Sequence, residues 1–460
     1  MRIFLLYFLL LVSARAVSPL PTDEVMIVGR FGNGPIDQPV RVNAANFESR
    51  FGTADPTAWS AEMQARQYFR NGGTWLEVVR VDPAKPLASA LRGSFLPPRL
   101  SGAGWVLPFS DLGILLIPEI GELAAAERDG LLESLRPLAD SRHFILLMDP
   151  PASVVTPSQA SAWAAGLPQD LDFAALLYPH VMVDPGLLVG TPGRPEVAIG
   201  ASGSTAPVVL RKDDSSGVWD AAAGTAAVLE VEDLETTLTS GQSSTLNSEN
   251  ICTLLDHSTH GILLWGWRSR DTSDPENRYL NVARLRRWIT HSLRRGLSGP
   301  VATTANQPTL WSAIDTETES FLHTLFRNGA FAGETPSGAY FSACDSSTTT
   351  AADVAANRAN LVFAFAPLSP ANFQVVQLSF ATADPSRPVP TGTMLLTLPR
   401  DGTLRLFHST APGFTHRMES STTLSVDDWI HLGSSFGDGG WRKTTQLLPA
   451  APRFFRLRSQ

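Results

Sequence analysis

Short apolar runs alternate with helical patterns over the first part of the chain. Residues 24–30 (EVMIVGR) predict a buried strand, residues 61–68 a helix, and residues 74–81 a second strand. A similar series follows, with apolar strands predicted at 112–119 and 143–151. Strands that are apolar throughout and separated by helices are typical of a sheet covered on both faces. The pattern therefore predicts an α/β fold.

The pattern weakens over 206–250, where one strand is predicted at 207–210, and it becomes clear again over 261–295. An apolar run ending at Trp267 predicts a buried strand, and a loop rich in Ser, Asp and Pro follows it. From Tyr279 onward, apolar residues recur every three or four positions, as they do in an amphipathic helix. The other face of this predicted helix carries Arg284, Arg286, Arg287, Arg294 and Arg295.

The last part of the chain predicts one more long helix and then mostly strands. The helix is expected at 310–328, and a hairpin-like pair of strands at 339–345 and 360–380. Beyond these, short runs alternate between apolar and polar residues, and Asp401-Gly402 is a strong signal for a hairpin turn. Residues 386–460 are therefore predicted to form a separate β module.

Composition narrows the function classes. The chain has 460 residues, of which 43% are hydrophobic and 17% charged, enough for about two to four domains with their own cores. Its 35 glycines and 34 prolines indicate many turns. The formal net charge of −8 argues against a general nucleic-acid binder, which would need a basic surface for phosphate contacts.

The N-terminus resembles a secretory signal peptide. A basic start at Arg2, an apolar core at 3–12 and a Ser-Ala-Arg-Ala end predict cleavage after Ala16. The apolar core is too short to span a bilayer, and no later segment is apolar for long enough, so no membrane span is predicted. The alternatives for this segment are a first β-strand or a misplaced gene start.

No residue cluster makes a strong case for catalysis. Cys252, Asp256, His257 and His260 lie close together in the sequence, but no second pair of metal ligands has suitable spacing. Cys344 with His323 would need an activated thiolate, which nothing in the sequence indicates. The two cysteines exclude a disulfide framework and leave either one bridge or two buried free thiols. We therefore predict no catalytic, cofactor or metal site and no enzymatic activity.

A series of short motifs resembles those of contractile tail sheath proteins, in the same order. They are G-P-x-D-x-P-V at 34–40, F-x-x-R-F-G at 47–52, F-x-N-G-G at 69–73, D-P-P at 149–151, L-Y-P-H-V-x-V-D-P at 177–185, G-V-W-D-A-A-A-G at 217–224, S-D-P-E-N-R-Y at 273–279, N-Q-P-T-L-W at 306–311 and F-L-x-x-L-F-R-N-G-A-F-x-G at 321–333. The resemblance covers roughly 24–381. Sheath proteins stack around a tube in phage tails and in related bacterial injection machines.

The resemblance implies an α/β (α+β) multi-lobed tail-sheath-like core followed by a small all-β C-terminal domain. The expected divisions are a signal peptide at 1–16, an N-terminal lobe at 17–105, a middle lobe at 106–250, a C-terminal core at 251–382 and the β module at 386–460. The implied function is that of a structural subunit that polymerises around an inner tube. The alternative is a secreted or envelope-associated adhesive protein that reuses the sheath fold.

The implied partners are other copies of the chain, the inner tail tube protein, and baseplate and terminator proteins, with no nucleic acid and no cofactor. Sheath subunits assemble into particles in the bacterial cytoplasm, whereas the signal-like segment suggests export. This sequence also lacks the family's usual N-terminal arm. The resemblance places candidate subunit contacts on two oppositely charged groups of residues. They are Arg284, Arg287, Arg294 and Arg295 on one side, and Asp315, Glu317 and Glu319 on the other.

Overall fold

The computed structural model describes most of the chain between Val17 and Thr382 and the strands that follow. The described residues are 17–53, 55, 57–95, 111–140, 142–186, 190–274, 277–368, 373–382, 394–397, 403–409, 415–421, 430–436, 441–447 and 454–459. The predicted signal peptide, 1–16, lies outside them.

The described strands and helices account for most of these residues. In chain order the strands are β1 (Glu24–Gly29), β2 (Pro39–Val42), β3 (Leu76–Arg80), β4 (Leu112–Leu116), β5 (Ile145–Met148), β6 (Asp170–Leu171), β7 (Ala174–Tyr178), β8 (Val181–Val183), β9 (Val197–Ile199), β10 (Asp233–Leu234), β11 (Cys252–His257), β12 (Gly261–Leu264), β13 (Arg270–Asp271), β14 (Tyr340–Ala343), β15 (Arg358–Phe365), β16 (Gln374–Ala381), β17 (Met394–Thr397), β18 (Thr403–Ser409), β19 (Thr415–Ser421), β20 (Ile430–Phe436), β21 (Trp441–Leu447) and β22 (Phe454–Ser459). The α-helices are α1 (Ala44–Phe51), α2 (Ser60–Arg70), α3 (Leu87–Phe95), α4 (Ala125–Asp140), α5 (Pro157–Ala165), α6 (Ser202–Ser216), α7 (Ser240–Ser248), α8 (Leu280–Thr303), α9 (Pro308–Arg327), α10 (Pro336–Ala339) and α11 (Ala351–Ala355). A short 3₁₀ helix spans Pro118–Glu122.

One eight-stranded sheet, in the order β12-β11-β7-β5-β4-β1-β3-β2, forms the centre of the fold. Its six inner strands, from β11 to β3, run parallel, and β2 and β12 close the two edges as antiparallel strands. This arrangement requires helical crossovers, which the alternating sequence pattern had predicted.

Residues of the central strands alternate between two cores. In β1, Val25 and Ile27 face the core formed with α1, α2 and α6. Met26 and Val28 face the opposite core, formed with α3, α4, α5 and α7. Both faces of the sheet are therefore covered, which explains why its strands carry no polar face.

The sheet crosses two of the predicted domain boundaries. Strands β1 and β4 pair in parallel, so the expected lobes 17–105 and 106–250 contribute neighbouring strands to one sheet. Strands β11 and β12, from the expected core at 251–382, extend the same sheet. The expectation of separate lobes is corrected in this respect, because strand pairing joins segments that are distant in sequence.

The prediction of a strand at 207–210 is wrong, because these residues lie within helix α6. The residues from Ser202 to Val209 are all buried, Pro207 among them. A helix buried on all sides shows no amphipathic spacing, so its apolar run resembled a strand.

The C-terminal core combines the two long predicted helices with an antiparallel sheet. Helices α8 and α9 confirm the predicted helices, and their apolar residues pack with those of the sheet β14-β15-β16. Val17 and Leu20, from the start of the described chain, belong to the same core.

The last strands form two antiparallel three-stranded sheets, β17-β18-β21 and β20-β19-β22. Strands β17 and β18 pair on either side of Asp401-Gly402, as the hairpin prediction required. The small all-β part of the predicted fold class is confirmed.

Among the described residues, no helix is long and apolar enough to cross a membrane.

Phe363 and Phe341 provide a matched test of this core. Phe363 is fully buried in β15, whereas Phe341 in the neighbouring β14 is 55% exposed. We expect Phe363→Ala to lower the free energy of unfolding by about 3–5 kcal/mol, because it leaves a cavity. Phe341→Ala should cost about 0.5 kcal/mol or less, as exposed substitutions do. Urea unfolding followed by circular dichroism measures both, and equal losses would contradict the assigned faces.

Candidate assembly surfaces

Helix α8 is joined to the α/β layers by arginine–aspartate pairs. Arg284 donates two hydrogen bonds to Asp213, at the end of α6, with Nη1–Oδ1 and Nη2–Oδ2 distances of 2.6 and 2.5 Å. Arg287 pairs with Asp172 and donates to the carbonyl oxygen of Ala139 at 2.6 Å. Arg286 reaches the same Asp172 at 3.0 Å. These contacts hold the helix against the middle of the chain.

Two of the candidate contact residues are therefore not exposed. The side chain of Arg284 is 3% exposed and that of Arg287 is 9% exposed. The expectation that they form an open basic face is corrected, since each guanidinium faces a carboxylate of the same chain. A buried charge requires such a partner because desolvation without one is costly.

Arg294 and Arg295 remain on the outer surface of the helix. Arg294 is exposed and makes no ion pair with the described residues. Arg295 pairs with Asp111, yet its side chain is still 44% exposed. An exposed pair of this kind contributes little to stability, about 0–1 kcal/mol. These two arginines are thus the part of the predicted basic group that stays accessible.

The predicted acidic group lies on helix α9, and its three members differ in environment. Asp315 is half-buried and accepts a hydrogen bond from Ser342 Oγ at 2.7 Å. Glu317 is half-buried beside the groove formed by α9 and the first described residues. Glu319 is exposed. Among the described residues, none of the three pairs with the α8 arginines of the same chain.

The first described residues pack along α8, which the sequence did not predict. Leu20 donates its backbone N–H to Ser292 Oγ at 3.1 Å, and its carbonyl oxygen accepts from Trp288 Nε1 at 2.8 Å. The imidazole of His143 lies 2.9 Å from the carbonyl oxygen of Pro21. This segment is therefore fixed to its own C-terminal core.

The sheet of the C-terminal core leaves one face exposed. The register aligns Phe341, Ala364 and Val375 in one row across β14, β15 and β16. Phe341 and Val375 are exposed, as are Phe373 and Leu368 beside them. Among the described strands, β16 pairs only with β15, so no second described strand lies along its outer edge. An exposed apolar face is suited to contact with another chain.

The thiols lie in environments that disfavour nucleophilic chemistry. Burial raises the pKa of Cys252 to about 11 and that of Cys344 to about 12. Both cysteines are free, and His323 is paired with the hydroxyl of Tyr340 at 2.9 Å. A thiol with a raised pKa is a poor nucleophile near neutral pH because little thiolate is present.

The structure is similar to several solved contractile assemblies. The anti-feeding prophage baseplate in its contracted state matches at a TM-score of 0.62 and 22% identity, over 80% of this chain and 95% of that one. The contracted helical sheath of the anti-feeding prophage gives 0.60 and 22%, over 84% and 96%. The contracted PVC sheath complex of an extracellular contractile injection system gives 0.58 and 19%, over 87% and 98%. The chain thus has the fold of these assemblies.

The sequence by itself finds no such relatives. It matches no protein-family model, and no curated protein matches it. Nearly half of the residues named in the short motifs above are Gly, Pro, Asp or Asn, which are common at turns and helix ends. Such residues keep a fold when the rest of the sequence has diverged.

Breaking the Arg284–Asp213 pair tests whether α8 is joined as described. Arg284→Met should lower the free energy of unfolding by about 3–5 kcal/mol, because the Asp213 carboxylate stays buried without a partner. Arg294→Met, on the exposed surface of the same helix, is the matched control and should change stability by less than about 0.5 kcal/mol. The double variant Arg284→Met with Asp213→Leu should regain much of the loss. Equal melting temperatures for both single variants would contradict the buried pair.

Buried His143 makes stability depend on pH. Desolvation lowers the pKa of this imidazole from 6.5 to about 4, despite its hydrogen bond to Pro21 and the nearby Asp111. Between pH 4 and pH 6.5, His143 is protonated in the unfolded chain but stays neutral in the folded chain. The free energy of unfolding therefore falls as the pH drops from 6.5 towards 4. His143→Gln should remove roughly 2 kcal/mol of this loss at pH 5. His260→Gln, at an exposed hairpin tip, is the control, and a wild-type slope in His143→Gln refutes the assignment.

Proposed function

We propose that this chain is the structural subunit of a contractile tail sheath and polymerises around an inner tube. The observation that carries the proposal is the likeness to the helical sheath of the anti-feeding prophage, which extends over 84% of this chain and 96% of that one. A likeness over nearly the whole of a sheath subunit supports a shared role better than a likeness of one domain would. The proposed protein is structural, and its function lies in shape and contact.

The proposed partners follow from the same assemblies. Other copies of the chain come first, because a sheath consists of repeated subunits, and the match to a baseplate structure supports contact with baseplate proteins. The inner tube protein and a terminator protein complete the set. We propose assembly in the bacterial cytoplasm as part of a phage-like particle.

The surfaces proposed for subunit contacts are those that remain open in the single chain. They are the exposed Arg294 and Arg295 on α8, the exposed Glu319 with the half-buried Glu317 on α9, and the apolar face of β14-β15-β16. Each charged contact is weak by itself. Repetition along a helical polymer makes such contacts effective together.

Residues 386–460 are proposed to form a separate unit appended to the sheath core. The six strands described there pair only with one another among the described strands. This supports a module that folds by itself and that the sheath lattice carries on each subunit.

Electron microscopy of the expressed protein tests the proposed function. Hollow rods should form from the purified chain at high concentration or on addition of the cognate tube protein. Removal of residues 1–16 provides a second sample in case this segment impairs assembly. A chain that stays monomeric under all of these conditions would overturn the proposal.

Reversing the exposed arginines should separate assembly from folding. Arg294→Glu with Arg295→Glu should change the melting temperature by only a few degrees, because exposed charges contribute little to stability, but it should abolish rods. High salt should weaken wild-type rods, since exposed pairs are screened. Arg92→Glu, on the exposed side of α3, is the control and should still give rods. Normal rods from the double variant would exclude these arginines from the contact.

A further inference from the structure

A cavity of about 530 Å³ opens between helix α7 and the segments around Trp265 and Tyr279. Its wall contains serine hydroxyls of α7, two tryptophans, and the side chains of Arg268 and Arg278. No aspartate or glutamate is among its described lining residues, although the chain as a whole carries a formal charge of −8. The cavity, here named the Arg268 pocket, is therefore locally positive.

The guanidinium of Arg268 is positioned without a hydrogen-bonding partner. It lies over the ring of Tyr279, with Cζ 4.2 Å from the ring centroid. Its Nη1 is buried and makes no hydrogen bond among the described residues, and its side chain forms no ion pair with them. Stacking fixes the plane of the group but satisfies none of its N–H donors. Nη1 thus carries N–H donors that no described residue satisfies, on a side chain that lines the pocket.

Arg278 supplies a second fixed cation on the same wall. Its Nε donates to Asn250 Oδ1 at 3.0 Å and its Nη2 to the carbonyl oxygen of Ser248 at 2.6 Å. Both acceptors are neutral, and Arg278 forms no ion pair with the described residues. The pocket therefore combines two held guanidinium groups with the hydroxyls of Ser240 and Ser244.

Several other buried arginines of this chain are paired with carboxylates. Arg66 contacts Glu48 and Glu62, Arg284 contacts Asp213, and Arg287 contacts Asp172. Arg268 has no such partner among the described residues. Guanidinium and carboxylate match in geometry, so a carboxylate is the acceptor that fits Arg268 best.

We propose that the Arg268 pocket receives a carboxylate side chain from a second copy of this chain. The inference rests on the proposed function, since a homopolymer places acidic surfaces of identical copies against one another. Trp265, 41% exposed at the pocket, adds the apolar contact area that protein interfaces use beside arginine. The net charge of −8 means that a second copy offers many carboxylates to a positive pocket.

The first experiment tests carboxylate binding by the single chain. The protein is labelled with 5-fluorotryptophan, the Trp265 signal is assigned with Trp265→Phe, and N-acetylglutamate methylamide is titrated. The Trp265 signal should shift with this probe and not with N-acetylglutamine methylamide, which has the same shape without the charge. Arg268→Gln should weaken the response at least about tenfold, while Arg41→Gln, an arginine stacked on Trp75 at another surface, should not. Equal responses to both probes, or an unchanged response in Arg268→Gln, would overturn the proposal.

The second experiment identifies the occupant in the assembly. Arg268→Lys keeps the charge and supplies a primary amine, and a carbodiimide then joins this introduced amine by an amide bond to a carboxylate in contact with it. Mixing ¹⁵N-labelled and unlabelled copies distinguishes links between copies from links within one. A link from the introduced amine to an acidic residue of another copy is expected. Rods without such a link, or a link only to the tube protein, would overturn the second-copy assignment while leaving the proposed function intact.

Failure of the two proposals is distinguishable. If the wild-type chain forms no rods, the proposed function fails and the second-copy assignment fails with it. Carboxylate binding by the pocket is then decided by the fluorine titration alone.

Discussion

The burial of arginine on helix α8 is the constraint on which the rest of the structure depends. A guanidinium removed from water must be paired, because an unpaired buried charge costs several kcal/mol. Asp213 comes from the end of α6, and Asp172 lies directly after β6. The pairs Arg284–Asp213 and Arg287–Asp172 can both form only when α6 and the segment around Asp172 are packed against α8 in one specific geometry. The C-terminal core is therefore held to the central sheet in a defined position.

The first described residues strengthen the same contact. Leu20 is bonded to Ser292 and Trp288 on α8, and the carbonyl oxygen of Pro21 is bonded to His143 beside the central sheet. The burial that lowers the pKa of His143 keeps its imidazole neutral near neutral pH, so this contact carries no buried charge. A short segment thus bridges two parts of the chain that are far apart in sequence.

Much of the fold follows from local pattern. The inner strands of the sheet could be predicted because burial on both faces leaves them apolar throughout, and α8 and α9 because each has one apolar side. Helix α6 could not, since its residues 202–209 are buried on all sides. The union of the lobes in one sheet also escaped prediction, because parallel pairing such as that of β1 with β4 carries no local signal.

The candidate contacts were predicted only in part, for a related reason. The spacing of the arginines shows that they share a side of α8, but not which of them meets a carboxylate. The partners of Arg284 and Arg287 lie 71 and 115 positions away in the sequence. The sequence offers no reason to select Arg268. It stands out only because no described carboxylate pairs with it, and that can be seen only in the three-dimensional structure. The sequence shows which residues are charged, but only the folded structure shows which of them form ion pairs.

This sorting of charges has a mechanical consequence. Pairs buried within the subunit, such as Arg284 with Asp213, are screened little by salt, whereas exposed groups such as Arg294 are screened strongly. Salt should therefore act on contacts between chains at concentrations that leave the subunit itself intact. In the proposed polymer, such weak contacts can be exchanged without unfolding, since Arg294 and Arg295 lie outside the core. This distribution, with the strongest pairs inside the chain and the weakest outside, is consistent with the proposed function, in which subunits shift against one another.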